Sequence, residues 1–262
     1  MIFWLLGVIV GIPLALGVLL YVIQEKLIFF PSSLPADYRF QFEQPFEEVF
    51  IETEDHTMLH GILFKADSSK GLVFYLHGNA GALDSWGTIA ETYTSLQYDL
   101  FIPDYRGFGK SVGGIKSEAQ FFADVQAAYD VMKKRYSEDR IVVIGYSIGS
   151  GSAAMLAATN HPKQLILQAP YYSLIDMMNH YYPFLPGFIL KYKFETFRFL
   201  QQTKSPVTLF HGNEDRVIYY ESSLKLKKHL KPGDRVIILE GEGHHGMNEN
   251  DAYRKELNRL LK

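Results

Sequence analysis

Cysteine is absent from the sequence. Its absence excludes disulfide bonds, zinc sites with thiolate ligands and a cysteine nucleophile, and it leaves the redox compartment open. Lysine and arginine never form a run longer than three residues, and the formal net charge is −3. A chain with this charge pattern has no basic stretch that could follow a phosphate backbone, so nucleic acid is not expected as a partner.

Charged residues are absent from the first 23 residues, MIFWLLGVIVGIPLALGVLLYVI. At about 1.5 Å per residue, a helix of this length reaches about 30 Å, enough to cross the hydrocarbon core of a membrane. A cleaved signal peptide is the alternative, but no Lys or Arg precedes the apolar run, and the run continues beyond 15–17, the best cleavage candidate. The sequence therefore predicts a single-pass anchor over 1–23. Lys26 alone is a weak guide to which side of the membrane the domain faces.

The remainder of the chain has the composition of a folded domain. Hydrophobic residues make up 47% and charged residues 21% of the sequence, and the 262 residues suffice for one large α/β domain. We predict a juxtamembrane segment over 24–45, where Pro31 and Pro35 end any helix, followed by one domain over 46–262.

Short apolar runs recur through the predicted domain. Two alternating runs, 46–52 and 57–65, predict an antiparallel hairpin. Six further runs lack clean alternation, as expected of strands buried on both faces of a parallel sheet, and they cover 72–78, 99–107, 140–147, 165–170, 206–212 and 235–241. Helical patterns lie between them, and a final helix is expected from about Asn248. This order predicts an α/β fold with a mostly parallel, doubly wound sheet.

One connection, after the sixth of these eight predicted strands, is unusually long. It covers 171–205 and carries ten aromatic residues. In α/β enzymes such a connection is often a lid or a substrate-binding insertion. The alternative is a pair of ordinary helices that bury their aromatics in the core. We expect a helical insertion with the character of a lid, because so many large apolar groups are hard to bury in one connection.

The strongest local motif is Gly145-Tyr146-Ser147-Ile148-Gly149, which follows a Val/Ile run and precedes a run of small residues. A G-x-S-x-G sequence between a strand and a helix is typical of a nucleophile elbow, where two glycines permit a turn that exposes the serine hydroxyl. We predict Ser147 as the nucleophile. The backbone N–H of Ile148, the next residue, is then expected to stabilise an oxyanion.

A nucleophilic serine needs a histidine base. Nine histidines are present, of which four follow predicted strands: His77, His211, His244 and His245. His77 opens a Gly-rich turn whose chemistry we expect in its backbone, with Asn79 as the second oxyanion donor and Ala80 as the alternative. The adjacent pair His244 and His245 follows the last strand, so either one could be the base.

The base in turn needs an acid that orients it. Asp215 follows the next-to-last strand, within reach of a histidine after the last strand, and is our predicted acid. Asp176 is the alternative, and Glu214 lies one residue away from the favoured position.

The order Ser–Asp–His and several motifs resemble the α/β-hydrolase superfamily, and specifically its small membrane-anchored acyl hydrolases with one N-terminal span. The motifs are spread over the chain and comprise KLIFFP (26–31), LHGNAG (76–81), DYRGFGKS (104–111), GYSIGS (145–150), HGNEDRVI (211–218) and GEGHHG (241–246). The resemblance implies that His244 is the base, because His245 stands where relatives often have asparagine. It also implies structural roles for Asp104 and Arg106, and it argues against Ser111 as a nucleophile.

The expected activity is therefore that of a serine hydrolase. It would cleave carboxylic ester or thioester bonds of acyl-chain substrates through an acyl-enzyme, and no metal or organic cofactor is implied. An amidase or peptidase with the same residues is the alternative. A non-catalytic, membrane-tethered binding module is a third possibility, disfavoured because serine, acid and histidine are all present. The sequence does not define the acyl chain, the leaving group or the oligomeric state.

Overall fold

The computed structural model describes residues 2–262, with side chains described for 11, 12 and 14–262. The strands are β1 (Phe30–Pro31), β2 (Phe46–Glu52), β3 (Met58–Phe64), β4 (Leu72–Leu76), β5 (Ala80–Gly81), β6 (Asp99–Asp104), β7 (Ile141–Tyr146), β8 (Gln164–Gln168), β9 (Val207–Gly212) and β10 (Arg235–Leu239). The helices are α1 (Ile2–Ile28), α2 (Leu83–Trp86), α3 (Ala90–Thr94), α4 (Glu118–Lys133), α5 (Gly149–Thr159), α6 (Leu174–Tyr181), α7 (Thr196–Gln202), α8 (Glu221–Leu226) and α9 (Asp251–Leu260).

Eight strands form one sheet, in the order β10-β9-β8-β7-β4-β6-β3-β2. β3 runs antiparallel to both of its neighbours, and the other pairs are parallel. The predicted hairpin is confirmed, with Phe46 opposite Phe64 and Glu52 opposite Met58. The predicted mostly parallel, doubly wound α/β sheet is confirmed as well.

Helices cover both faces of the sheet. On one face, Phe121 of α4 belongs to the same buried cluster as Phe74 and Val143 of the central strands. On the other face, Tyr93 of α3 and Tyr253 of α9 share a cluster with the intervening strand residues. Because β4, β7 and β8 are buried at every position, their sequences show continuous apolar runs and no alternation.

The last helix begins later than predicted. Residues Met247–Glu249 form a short 3-10 turn, and Asn250 caps α9 by accepting a hydrogen bond from the Tyr253 N–H at 3.0 Å. The predicted start at Asn248 is therefore wrong by one short turn. The physical reason is that Asn248 and Asn250 both carry a side chain that can cap a helix by accepting from an N–H three positions further on, so the sequence alone does not distinguish them.

The long connection after β8 is helical, as predicted, and contains α6, the 3-10 turn Gly187–Ile189 and α7. Its aromatics range from fully buried to largely exposed. Tyr171, Tyr192 and Phe194 are buried in the core, whereas Phe184 and Phe188 are 77% and 85% exposed. The segment thus combines ordinary core packing with a projecting apolar tip, and its movement as a lid stays a prediction.

The N-terminal segment is attached to the domain. Helix α1 continues to Ile28, so the first part of the predicted juxtamembrane segment is helical. Beyond it, β1 pairs in parallel with β5. Among the residues with described side chains, no helix is long and apolar enough to cross a membrane. The anchor predicted over 1–23 lies partly outside those residues and stays a prediction.

Candidate active site

Ser147 lies in the tight turn between β7 and α5. Its φ of 54° is a left-handed value that is unfavourable for a residue with a Cβ, and such strain is typical of a nucleophile elbow. A Cβ at Gly149 would collide with the Leu76 carbonyl oxygen, and one at Gly145 would collide with Ala153 and the Gly149 carbonyl. The two glycines therefore allow α5 to approach the sheet and hold Ser147 at the carboxyl end of the strands.

His244 lies within hydrogen-bonding distance of both Ser147 and Asp215. Its Nε2 is 3.1 Å from Ser147 Oγ, and its Nδ1 is 2.7 Å from Asp215 Oδ2. Since a carboxylate can only accept, Nδ1 carries the proton and Nε2 is left to accept from the serine hydroxyl. The structure thus brings together the side chains predicted as nucleophile, base and acid.

The Asp215 carboxyl is held on both of its oxygens. Oδ1 accepts from the backbone N–H groups of Val217 and Ile218, each at 2.8 Å, and Oδ2 also lies 3.2 Å from His211 Nε2. Burial alone would raise the pKa of this carboxyl, but hydrogen bonds from His211, His244 and Ile218 lower it well below its usual range. Asp215 therefore remains ionised and can balance a positive charge on His244.

His211 is a site residue that the sequence reasoning missed. It is fully buried, with Nδ1 2.7 Å from Ser223 Oγ and Nε2 2.9 Å from the Ile218 carbonyl oxygen. Because Ile218 and Asp215 offer only acceptors to Nε2, that nitrogen carries the proton and Nδ1 accepts from Ser223. The spacing of His211 and Asp215, four residues apart across a strand end, was the available signal.

The alternative base and acid have other partners. His245 is exposed, and its Nδ1 lies 3.2 Å from Tyr146 Oη, which donates to the His244 carbonyl oxygen at 2.9 Å. Asp176 accepts from Lys225 at 2.6 Å and from Tyr219. The geometry thus favours His244 over His245 and Asp215 over Asp176. Tyr146, which precedes the serine, also fixes the loop that carries the base.

The two residues predicted to bind an oxyanion, Asn79 and Ile148, line the same cavity as Ser147. Ile148 lies at the N-terminus of α5, where the helix dipole favours negative charge. The side-chain amide of Asn79 donates to the Ile28 carbonyl oxygen at 2.8 Å. The backbone carbonyl oxygen of Asn79 accepts from the Phe30 N–H at 2.7 Å. The N-terminal segment therefore positions the loop that carries Asn79.

The remaining motif residues are bound into neighbouring loops. Arg106 donates to the carboxylates of Asp124 and Asp55. The Ser111 hydroxyl donates to the Asp104 carbonyl oxygen at 2.8 Å. His77 is fully buried, with Nδ1 2.7 Å from the Gly78 carbonyl oxygen. These contacts fit the structural roles expected for the motif. Among the contacts described, the only histidine group that Ser111 meets is the backbone N–H of His60, which donates to its hydroxyl oxygen at 2.8 Å and cannot act as a base.

An apolar cavity of about 570 Å³ opens beside Ser147, a volume typical of small-molecule sites. Ser147, Ile148 and Asn79 line it. The other lining residues come mainly from α1 and from the insertion 171–205, and most of the side chains are leucine, isoleucine, methionine or tyrosine. The described residues around it include no Asp or Glu.

The sequence also matches known proteins. A family model described as serine aminopeptidase, S33, covers residues 67–197. Protein bem46 of Schizosaccharomyces pombe is 30% identical, over 78% of this chain and 74% of that protein. Alpha/beta hydrolase domain-containing protein 17C of Mus musculus is 30% identical, over 86% of this chain and 70% of that protein. The chain belongs to the α/β-hydrolase superfamily.

Solved structures share the α/β-hydrolase fold. An esterase of Pyrococcus furiosus superposes with a TM-score of 0.72 at 19% identity, covering 89% of this chain and 96% of that one. A thioesterase domain from the curacin biosynthetic pathway gives a TM-score of 0.60 at 15% identity, covering 83% and 99%. Family and fold together identify this α/β-hydrolase as a serine hydrolase.

Proposed function

We propose that this α/β-hydrolase cleaves carboxylic ester or thioester bonds of substrates that carry acyl chains. The observation behind the proposal is the hydrogen-bonded series Ser147–His244–Asp215, whose serine lines an apolar cavity. Ser147 is the nucleophile, His244 the base and Asp215 the group that stabilises the imidazolium. The backbone N–H groups of Asn79 and Ile148 stabilise the oxyanion.

The reaction proceeds in two steps. The Ser147 oxygen attacks the carbonyl carbon while its proton moves to His244 Nε2, and His244 then gives this proton to the departing alkoxide or thiolate. The acyl group remains on Ser147. Water attacks the acyl-enzyme and loses a proton to His244, which returns it to the Ser147 oxygen as the carboxylic acid leaves.

The proposal includes a single-pass membrane anchor over 1–23. Its support is the described part of α1, where apolar side chains are exposed on several sides: Ile12, Leu14, Leu16, Val18, Leu19 and Val22. An apolar surface of this kind is favourable only when lipid or another apolar partner covers it. The side of the membrane that the domain faces is left open.

An amidase or peptidase is the second candidate, favoured by the description of the matching family, serine aminopeptidase. An aminopeptidase binds the ammonium group of its substrate, for which a carboxylate is the natural partner. The described lining of the cavity offers apolar side chains and no Asp or Glu. The cavity therefore favours acyl esters and thioesters over peptides.

The proposal is tested on the full chain in detergent with p-nitrophenyl esters, peptide anilides and a fluorophosphonate probe. We expect ester turnover and labelling in the wild type, and loss of both in Ser147→Ala. His244→Ala should lower kcat at least about 1000-fold, because among the described contacts His244 is the only basic side chain that is hydrogen-bonded to Ser147.

His245→Ala is the matched control, since it changes the adjacent histidine and should retain most of the turnover. Labelling of Ser147→Ala would refute the nucleophile. Faster cleavage of anilides than of esters would establish the amidase alternative, and a greater loss in His245→Ala than in His244→Ala would reverse the choice of base.

A further inference from the structure

The cavity beside Ser147 has an unusual wall. Leu20, Gln24, Leu27 and Ile28 of α1 line it, although α1 precedes the catalytic domain in sequence. Residues of the insertion 171–205 line the same cavity. Since Ser147 also lines it, an acyl chain whose carbonyl lies at Ser147 would extend along surfaces formed by α1 and the insertion.

One face of α1 is turned towards the domain. Gly17, Leu20, Gln24 and Ile28 are partly or fully covered, while Val18, Leu19 and Val22 are exposed. The covered positions are spaced by three or four residues, as expected of a single helix face. The residues of α1 that line the cavity, Leu20, Gln24, Leu27 and Ile28, therefore lie along this side of the helix, and Leu27 remains 52% exposed at its edge.

Helix α1 is fixed to the insertion by hydrogen bonds. The Gln24 side-chain amide donates to the Ile189 carbonyl oxygen at 3.1 Å, and its oxygen accepts from the Lys191 N–H at 2.7 Å. Glu25 accepts from the Lys191 ammonium group at 3.0 Å and from the Tyr192 hydroxyl at 3.0 Å. These contacts fix the position of α1 against the insertion. They also satisfy the polar groups of Gln24, so only the CH₂ groups of its side chain are left to face the cavity.

The C-terminal end of α1 is also fixed to the loop that carries Asn79. Asn79 donates to the Ile28 carbonyl oxygen, and β1 pairs with β5 directly after Asn79. The position of α1 relative to Ser147 is thus fixed by hydrogen bonds to two segments, the insertion and the loop that carries Asn79. A helix held in this way can determine how much space lies between it and the insertion.

We propose that α1 forms one wall of the acyl-chain site and that Leu20 and Leu27 help to determine which chain lengths are accepted. This inference rests on the proposed hydrolysis of acyl esters at Ser147. The N-terminal helix is then a specificity element of the enzyme in addition to its predicted role as an anchor. The ligand is a single unbranched acyl chain whose carbonyl lies at Ser147.

The test compares substitutions on adjacent positions of α1 in the full chain. Leu20→Trp places a large side chain in the site, whereas Leu19→Trp places the same side chain on the exposed face. For each variant, kcat/KM is measured with p-nitrophenyl acetate and p-nitrophenyl decanoate in the same detergent. We expect Leu20→Trp to lower the decanoate-to-acetate ratio about tenfold or more, and Leu19→Trp to leave that ratio unchanged.

Leu20→Ala should change the chain-length preference in the opposite direction to Leu20→Trp. It enlarges the site, so the preferred chain should become longer and the ratio of hexadecanoate to decanoate turnover should rise. Equal ratios in Leu20→Trp, Leu19→Trp and the wild type would overturn the inference while leaving the hydrolase function intact. Turnover that persists in Ser147→Ala, or its absence with every ester, would instead overturn the proposed function and this inference with it.

Discussion

The charge on Asp215 depends on four neighbouring groups. Two backbone N–H groups bind one carboxyl oxygen, and His211 and His244 bind the other. The hydrogen bonds more than offset the effect of burial, so the pKa is lowered in the folded protein. An ionised carboxylate in contact with a neutral histidine stabilises the imidazolium as it forms during acyl transfer.

The lowered pKa predicts how stability depends on pH. An unfolded aspartate has a pKa of about 3.9, so the ionised, hydrogen-bonded Asp215 stabilises the fold fully above that pH and loses the effect as pH falls towards its lower folded pKa. The free energy of unfolding of the wild type should therefore exceed that of Asp215→Asn at neutral pH, and the difference should shrink below about pH 4.

Denaturant unfolding of both proteins between pH 3 and pH 8 measures this difference. His211→Gln removes one of the hydrogen bonds that lower the pKa, so in this variant the stabilisation by Asp215 should be smaller at neutral pH, and its loss should be complete at a higher pH. A difference between wild type and Asp215→Asn that stays constant over the whole range would show that Asp215 is not held as an ionised group.

Single site residues were predictable where a short motif indicates both the local backbone structure and the chemical role of the side chain. Ser147 follows from a glycine-flanked turn, and Asp215 from its place after a strand. His211 was among the four candidate histidines, but its role beside Asp215 was not predicted, because that role depends on the path of the chain after Asp215, which brings the Ile218 carbonyl to its ring. Such a contact is set by tertiary structure and leaves only the spacing of the two residues in the sequence.

At the scale of secondary structure, residues 30–32, which follow α1 and are called the strap here, are hydrogen-bonded to residues 79–81, the loop that carries the expected oxyanion donor Asn79. The Phe30 N–H donates to the Asn79 carbonyl oxygen, and the Ser32 N–H donates to the Gly81 carbonyl oxygen. Both bonds lie beside the peptide expected to stabilise the oxyanion. Because such a donor must be held in place before charge develops, the strap should affect kcat more than KM.

Phe30→Pro tests the strap by removing its first donor. We expect kcat for p-nitrophenyl acetate to fall about tenfold with little change in KM, since a misplaced oxyanion donor weakens binding of the transition state alone. Phe30→Ala is the control, because it keeps the N–H and removes a side chain that is half exposed. Equal kcat values in the two variants would show that the strap does not position Asn79.

The strands were predictable because continuous apolar runs require burial on both faces, and the structure places each run in the central sheet. The strap was not predictable. β1 has two residues, both exposed, and pairs with another two-residue strand. A pairing this short has no periodic pattern, and proline-rich KLIFFPSSLP indicates only that a helix ends there.

At the scale of the whole molecule, the projecting tip of the insertion lies beside α1. The side chain of Ile189 comes within 3.8 Å of the position that a Cβ at Gly17 would take, and the Lys191 ammonium group lies 4.8 Å from the centre of the Tyr21 ring. Gly17 and Tyr21 fall within the predicted anchor. If α1 enters a bilayer, the exposed Phe184 and Phe188 of the tip meet the same membrane surface.

This arrangement predicts that the tip assists catalysis on membrane-borne substrates. The double substitution Phe184→Ser and Phe188→Ser should lower turnover of a long-chain ester carried in phospholipid vesicles at least about tenfold, because burial of even one phenylalanine contributes about 1.5–3 kcal/mol. Turnover of dispersed p-nitrophenyl acetate should stay the same, since neither residue lines the cavity.

Phe50→Ser is the matched control, because Phe50 is 58% exposed and lies on the edge strand β2. Its loss should leave both turnover rates unchanged. If the tip variant and the control behave alike on vesicles, the tip does not meet the bilayer. If the tip variant loses turnover of both substrates equally, the phenylalanines support the fold of the insertion, and the membrane role of the tip is wrong.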